Sequence, residues 1–303
     1  MNNIAVCIPT YKRIDMLNQL IDSIYNCNIE TSLINNIDVL IVDNDAEKTA
    51  ENLIVNLKKI EKKPFRLHYY SFSVKGLANV RNELIERALK FEPDFLVFID
   101  DDEFVTSEWL NELVKTVVNN NADAARGPVY ANITNTVSKS IAVLLERENY
   151  KNNSPVEKWT TGNLIIRRTS LEKSGVRFDS RFNSTGSEDT FFGREMTRKG
   201  ATLFWAANAV THEVIPEKRT NLNWFIKRAY RGAATYVFIL KIEKDYFKIV
   251  NKIIVSIVYL LIGLASLILV VLPIKSKYWG ILKMSDGVGA LAGLFNFQYR
   301  EYK

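Results

Sequence analysis

The 303-residue sequence contains only two cysteines and two histidines. Cys7 and Cys27 are too few for a disulfide framework, which favours a reducing compartment. A zinc site built from these cysteines with His68 and His212 is poorly supported, because structural zinc usually takes four His or Cys ligands. The N-terminus lacks a basic start and a long apolar core, so no signal peptide is predicted.

Acidic residues are scarce near the C-terminus. Residues 216–303 hold 14 Lys and Arg against five Asp and Glu, whereas residues 1–215 hold 26 against 29. Such a surplus suits nucleic acid or an anionic membrane surface. Residues 253–274 carry no charge, and as a helix they would extend about 33 Å, the thickness of a bilayer core. The pattern therefore predicts a transmembrane helix and no nucleic-acid partner; a buried core helix is the alternative.

Apolar runs that suit strands alternate with segments of helical periodicity. Predicted strands cover 3–8, 38–43, 66–72, 94–99, 123–130, 162–168 and 202–205. Predicted helices cover 14–25, 46–60, 77–89, 107–118, 187–200 and 221–242, with Ser107 and Ser187 as N-caps of the fourth and fifth. The alternation predicts an α/β fold with a mostly parallel sheet. In such sheets, ligands collect at the carboxyl ends of the strands, so the polar residues there are the candidates for function.

Four consecutive acids, Asp100, Asp101, Asp102 and Glu103, follow one of the predicted buried strands. Their mutual repulsion would be relieved by a hard cation such as Mg²⁺ or Mn²⁺, which takes carboxylate and phosphate oxygens. The alternative is a solvated loop whose acids favour the start of the next helix.

Other candidate groups lie before and after these acids. Arg81, one turn into a predicted helix, could bind a phosphate through two hydrogen bonds, or could lie on an exposed helix face. Asp43 ends a buried strand and needs a partner. Glu188 and Asp189 lie in the first turn of a helix, where they could cap it or where one could act as a general base.

Together these segments resemble glycosyltransferase family 2, whose nucleotide-sugar-binding α/β fold is called GT-A. The resemblance covers roughly residues 3–215. It rests on the order of "IPTYKR", "VDND", "KGLANVRN", "FIDDDEF", "TGN", "FDSRF" and "GSEDTFF". It implies a GT-A fold with a mostly parallel mixed sheet, followed by C-terminal membrane-associated helices. The implied divisions are a nucleotide-sugar-binding half (1–103), an acceptor and catalytic-base half (104–218), and an amphipathic and transmembrane module (219–303).

The resemblance also implies a role for each matching residue. The nucleotide-binding residues would be Pro9, Thr10, Tyr11, Arg13, Asp43, Arg81 and Asp100. Asp102 and Asp100, with His212, would hold Mn²⁺ or Mg²⁺, although His212 could equally be structural. Asp189 would be the catalytic base, supported by Glu188. The donor-sugar and acceptor site would include Thr161, Gly162, Asn163 and Asp101.

The resemblance implies inverting transfer from a nucleoside-diphosphate sugar, with UDP as the expected nucleotide. The sequence has no Q-x-x-R-W motif of processive polymerases, which predicts addition of a single sugar. The C-terminal part is similar to ExoM-type bacterial transferases that build polysaccharide repeat units. That similarity implies a lipid-linked saccharide acceptor, at the bacterial inner membrane with the catalytic domain facing the cytoplasm. The alternatives are a catalytically silent nucleotide-binding scaffold of the same fold, or a nucleotidyltransferase, although the Gly-rich phosphate loop usual in the latter is missing.

Overall fold

The computed structural model describes residues 1–60, 62–133, 136–146, 148–268 and 278–297. The strands are β1 Asn2–Thr10, β2 Ile34–Asp43, β3 Phe65–Ser71, β4 Phe95–Phe98, β5 Glu103–Val105, β6 Ala124–Arg126, β7 Val129–Ile133, β8 Leu164–Arg167, β9 Leu203–Trp205 and β10 Thr211–Ile215. The α-helices are α1 Ile14–Tyr25, α2 Glu51–Leu57, α3 Leu77–Leu89, α4 Trp109–Asn119, α5 Lys139–Leu145, α6 Arg168–Ser174, α7 Glu188–Arg198, α8 Leu222–Ile242, α9 Tyr246–Ile268 and α10 Trp279–Leu294.

A seven-stranded mixed sheet forms the centre of the fold, in the order β3-β2-β1-β4-β8-β6-β9. Strands β3, β2, β1 and β4 run parallel, and β8 is antiparallel to both of its neighbours. The carboxyl ends of β1, β2 and β3 align, with Thr10 opposite Asp43 and Asp43 opposite Ser71. A smaller sheet has the order β5-β10-β7. The predicted α/β class with a mostly parallel mixed sheet is confirmed.

Both faces of the large sheet are buried, as expected for strands joined by crossover helices. Alternate residues of β1 point to opposite faces, so Val6 packs in one apolar cluster with α1 and α4, and Cys7 packs in the other with α3 and α7. Burial raises the pKa of the Cys7 thiol, which makes it inert. Strand β1 is therefore packed on both faces, and polar residues lie at its carboxyl end.

The chain divides into two compact units. The first comprises 1–131, 147–183 and 188–214, and the second comprises 132–146, 184–187 and 215–303. The first unit contains the large sheet, and the second contains α5 and the three C-terminal helices. One described helix, within Tyr246–Ala265, is long and apolar enough to cross a membrane. The predicted run 253–274 is helical as far as Ile268, and its remainder lies outside the described residues.

Three predicted helix starts differ from the structure. The helix predicted over 46–60 is only α2, because Asp43 accepts hydrogen bonds from the backbone N–H of Asp45 and Ala50 and holds that segment in turns. Ser107 is not the N-cap of α4, since Glu108 holds that position without a side-chain cap. Ser187 has φ of 71°, whereas an N-cap residue usually has extended backbone.

Candidate active site

Arg81 joins two carboxylates that lie far apart in the sequence. Its Nη2 is 2.9 Å from Asp100 Oδ1, and its Nη1 donates a hydrogen bond to Glu188 Oε1. The Arg81 side chain is 3% exposed. Burial disfavours its charge, but Asp100 and Glu188 outweigh that effect, and the pKa of Arg81 is raised. One guanidinium thus connects the end of β4 to the start of α7. Binding of a phosphate by Arg81 stays a prediction.

Asn183 fixes the helix that carries Arg81. Its Oδ1 accepts hydrogen bonds from the backbone N–H of Ala78 at 3.0 Å and Asn79 at 3.4 Å. These are N–H groups of the first turn of α3, which have no partner inside the helix. Gly76 has φ of 115°, and a Cβ there would lie 2.2 Å from the Asn183 side chain. Only glycine allows this approach. Sequence reasoning missed Asn183, since a cap supplied from 105 residues away has no local signal.

Two side chains at and just after the end of β1 contact the acidic turn. Arg13 Nη1 is 2.8 Å from Asp101 Oδ1 and 2.8 Å from Asp102 Oδ2. Thr10 Oγ1 donates to Asp101 Oδ2 at 2.9 Å. Arg13, predicted to bind the nucleotide, therefore contacts Asp102, a predicted metal ligand. Asp101, whose carboxylate is committed to these two partners, is buried and supports the turn.

Two acids of the turn, Asp102 and Glu103, are costly to ionise. Burial and the neighbouring Asp100 raise the pKa of Asp102 to about 7, although Arg13 opposes the shift. Burial and the same neighbour raise the pKa of Glu103 well above its usual value. Glu103 Oε2 has no hydrogen-bond partner among the residues that the structure describes. A Cβ on Gly162 would lie 2.5 Å from Glu103 Oε1. A larger residue at position 162 would therefore collide with Glu103.

Glu188 and Asp189 begin α7 but differ in environment. Glu188 is buried, and burial raises its pKa to about 6 in spite of Arg81. Asp189 is half-buried, and its Oδ1 accepts from the backbone N–H of Thr190 at 2.6 Å. The more accessible Asp189 is the better placed of the two to take a proton from a substrate. Glu188 is positioned by Arg81 and in turn helps to fix α7.

The other predicted nucleotide residues lie around the same strand ends. Asp43 is fully buried; besides its two backbone contacts, its Oδ2 accepts from Tyr69 Oη at 3.0 Å. It therefore holds the loop after β2, and a base contact by Asp43 stays a prediction. Tyr11 is 52% exposed, which leaves its ring accessible for stacking, and Pro9 lies in the buried part of β1, which ends at Thr10.

Asn163 and His212 are not brought into the acidic cluster by any described contact. Asn163 is fully buried, accepts from Trp109 Nε1 at 2.7 Å and donates to the carbonyls of Pro128 and Ala209. Asn163 therefore holds together the backbone segments at Pro128 and Ala209. The His212 ring stacks on Phe104, with centroids 5.1 Å apart. Thr161 is buried.

The acidic turn fits a divalent cation that takes part of its coordination from substrate. No group of three or more His, Cys, Asp or Glu suited to a metal is found within the described ranges. Mg²⁺ is typically held by one or two carboxylates together with phosphate oxygens, so a complete protein cage is not required. The buried carboxyl of Asp102, disfavoured as an anion beside Asp100, is a donor whose ionised form a cation would stabilise.

Comparison with known families gives the site its context. The family described as Glycosyl transferase family 2 matches residues 5–175, more than half of the chain. The chain belongs to glycosyltransferase family 2. Glycosyl transferase family group 2 matches residues 95–290. The succinoglycan biosynthesis protein ExoM of Rhizobium meliloti is 30% identical over 242 residues, which cover 77% of this chain and 73% of ExoM. The chain is thus a family 2 glycosyltransferase similar to ExoM.

Solved structures show the same fold at low sequence identity. The structure of Staphylococcus aureus TarS 1–349 has a TM-score of 0.54 and 14% identity, and the match covers 98% of this chain and 93% of that one. TarS 1–349 in complex with UDP-GlcNAc has a TM-score of 0.55 and 14% identity, covering 78% of this chain and 66% of that one. In the longer TarS structure, the matched part is 39% of that chain. These matches confirm the GT-A fold.

Proposed function

We propose that this family 2 enzyme transfers a single sugar, with inversion, from a UDP-linked sugar to a lipid-linked saccharide during bacterial surface polysaccharide synthesis. The observation that carries the proposal is the bridge through the buried Arg81, which joins the acidic turn at Asp100 to the start of α7 in one network. That network connects the donor side of the reaction to the candidate base Asp189.

In the proposed reaction, Asp189 removes a proton from an acceptor hydroxyl, which attacks the anomeric carbon opposite the leaving nucleoside diphosphate. Inversion needs no covalent enzyme intermediate. Arg81 and Arg13 are the fixed cations next to the acidic turn, where the negative charge of the leaving group would develop. Glu188 keeps the first turn of α7 in place through Arg81.

A metal ion is part of the proposal. Asp102 and Asp100 would hold Mn²⁺ or Mg²⁺, with His212 as a further candidate ligand. When bound, such an ion acts as a Lewis acid that stabilises negative charge on a diphosphate. Arg13, which contacts Asp102, would orient the carboxylate for it. The predicted roles of Pro9, Thr10 and Tyr11 in nucleotide binding and of the 161–163 segment beside the donor sugar are retained.

Two relatives support the choice of substrates. TarS has been solved with UDP and with UDP-GlcNAc, which supports a UDP-linked donor. ExoM is a succinoglycan biosynthesis protein, which supports a polysaccharide product and a growing lipid-linked saccharide as the acceptor. The apolar helix α9 and the basic C-terminal part favour a site at the inner membrane, with the first unit facing the cytoplasm.

A donor screen tests the proposal. Release of nucleoside diphosphate is measured for UDP-, GDP- and dTDP-sugars, each with Mn²⁺, with Mg²⁺ and with chelator. A UDP-sugar is expected to give the fastest release, and chelator or Asp102→Ala is expected to abolish it. Asp22→Asn, a change to an exposed acid on α1, is the control. Release that is equally fast for Asp102→Ala in chelator would contradict the metal assignment. Absence of release with every donor would favour the catalytically silent scaffold.

A further inference from the structure

The three C-terminal helices pack side by side through small residues. Ser285 Oγ on α10 donates to the carbonyl of Ile226 on α8, and Cβ atoms on Gly289 and Gly293 would meet the carbonyls of Tyr230 and Ala234. The paired numbers rise together, so α8 and α10 are parallel. Close approach of this kind requires residues without bulky side chains.

Helix α9 runs antiparallel to α10. A Cβ on Gly263 would meet Met284, whereas one on Gly287 would meet the carbonyl of Ser256. Lys252 on α9 also forms an ion pair with Asp286 on α10, at 2.6 Å. The axes of the three helices are therefore aligned, with α8 and α10 running one way and α9 the other.

This alignment places cationic side chains level with the middle of α9. Ile226 and Tyr230 on α8 contact positions 285 and 289 of α10, and Gly287 between them contacts Ser256, near the centre of α9. Lys227 and Arg228 are exposed at that level. If α9 crossed a bilayer with its described residues centred, both cations would lie near the middle of the hydrocarbon. If the uncharged run 253–274 were centred instead, they would lie about 11 Å from the middle, still inside a core about 30 Å thick. Both positions are expensive for exposed charges. A perpendicular crossing is therefore disfavoured.

The outer face of α9 is nevertheless mostly apolar between Tyr246 and Ala265, interrupted by the exposed Lys248 and Asn251. Its exposed side chains include Phe247, Val250, Ile254, Leu261 and Leu264. Only 17% of the apolar window is buried. So large an apolar surface requires a cover. The face is formed mostly by large side chains, whereas Ser256 and Gly263 of α9 contact α10, so this outer face lacks the pattern of a tight helix–helix contact.

Groups typical of a membrane interface surround one end of this face. Tyr246, Phe247, Phe295 and Phe297 are each at least 66% exposed, and the side chain of Lys248 is 53% exposed. Aromatic rings and lysines are enriched at the headgroup level. Together with the basic balance of residues 216–303, they favour an anionic lipid surface as the cover.

We propose that α9 is an in-plane anchor, inserted by its outer face into one leaflet of an anionic bilayer, and that the C-terminal helices do not cross the membrane. This extends the membrane location in the proposed function and replaces the expectation of a transmembrane span. The anchor is tested by membrane binding and labelling, whereas the proposed function is tested by sugar transfer. Either proposal can therefore fail while the other holds.

Vesicle flotation tests the surface. The full chain is mixed with vesicles of phosphatidylcholine containing one-third phosphatidylglycerol. The variant Ile254→Lys/Leu261→Lys is expected to lose at least about tenfold in partitioning, since lysine is strongly disfavoured in hydrocarbon. The control Val55→Lys/Val74→Lys adds the same charge at positions of similar exposure in the first unit and should float like the parent. Equal flotation of both variants, or no flotation of the parent, would overturn the proposal.

Labelling tests the topology. Single cysteines replace Asn223, near the start of α8, and Lys244, just after its end, in a Cys27→Ser background. The two positions are exposed and lie about 31 Å apart along the helix. In inverted membrane vesicles from expressing cells, a membrane-impermeant maleimide is expected to label both before detergent is added. Protection of either position until detergent is added would show a crossing and would refute the in-plane anchor.

Discussion

The Arg81 bridge predicts an energetic coupling between α3 and α7. Arg81→Met removes the cation from two carboxylates, one of them the buried Glu188. Loss of one partner from a buried ion pair costs about 3–5 kcal/mol. Glu188→Gln removes a single charge and leaves the contact to Asp100, so we expect about 1–3 kcal/mol. The double variant should fall short of the sum by about 1–3 kcal/mol, because both changes remove one shared interaction.

Hydrogen exchange over α3 and α7 measures this coupling as a local opening free energy. A single unfolding free energy would be poorly defined, because the chain has two compact units. Arg87→Met is the control: Arg87 is on the same helix, and it pairs with Glu83 at the surface, at 2.7 Å. A surface pair of this kind contributes about 0–1 kcal/mol. The reasoning is refuted if the Arg81 and Glu188 effects add within about 0.5 kcal/mol, or if Arg87→Met costs as much as Arg81→Met.

Three further changes have clear expectations. Burial would raise the pKa of Asp38, but the His68 hydrogen bond helps to lower it overall, so its stabilisation is present at neutral pH and is lost as the pH falls through the carboxyl range. Asp38→Asn should therefore lower the local opening free energy of β2 and β3, measured by hydrogen exchange, by an amount that shrinks as the pH falls below the normal carboxyl range; a pH-independent difference would count against this. Gly76→Ala should cost about 1–3 kcal/mol in hydrogen exchange of α3, from φ strain and collision with Asn183; an unchanged exchange rate would contradict it. Asp102→Ala should weaken Mn²⁺ binding at least about tenfold in calorimetry with UDP, whereas parent-like affinity would remove Asp102 from the metal site.

The sequence predicts the alternating elements well where a single local pattern decides them. Helix α3 has the predicted bounds, and β1 extends the predicted strand at both ends. Predictions fail where distant groups decide. The segment after β2 looks helical, but Asp43 accepts its N–H groups and shortens α2. The apolar stretch 123–130 is divided into two strands around Gly127, where a Cβ would lie 2.1 Å from the carbonyl of Ala209.

The same reasoning separates what could and could not be predicted of the site. The acids after β4 and at the start of α7 are visible as motifs. Their connection through Arg81 joins residues 107 positions apart, which no local pattern encodes. The sequence assigns Glu103 no role at the site, yet it is buried, and one of its oxygens has no partner within the described ranges. Within the described residues, this oxygen without a partner distinguishes Glu103 from Asp101 and Asp102, which are buried too.

Sugar transfer by Asp189→Asn tests the central claim most directly. The variant keeps the size and position of the side chain but cannot accept the proton. Transfer from the donor selected in the screen to a membrane-lipid extract is measured beside the parent and the exposed control Asp22→Asn. We expect Asp189→Asn to lose about 10²–10⁴ in rate while Asp22→Asn matches the parent. Parent-like transfer by Asp189→Asn would contradict the assigned base and the mechanism built on it.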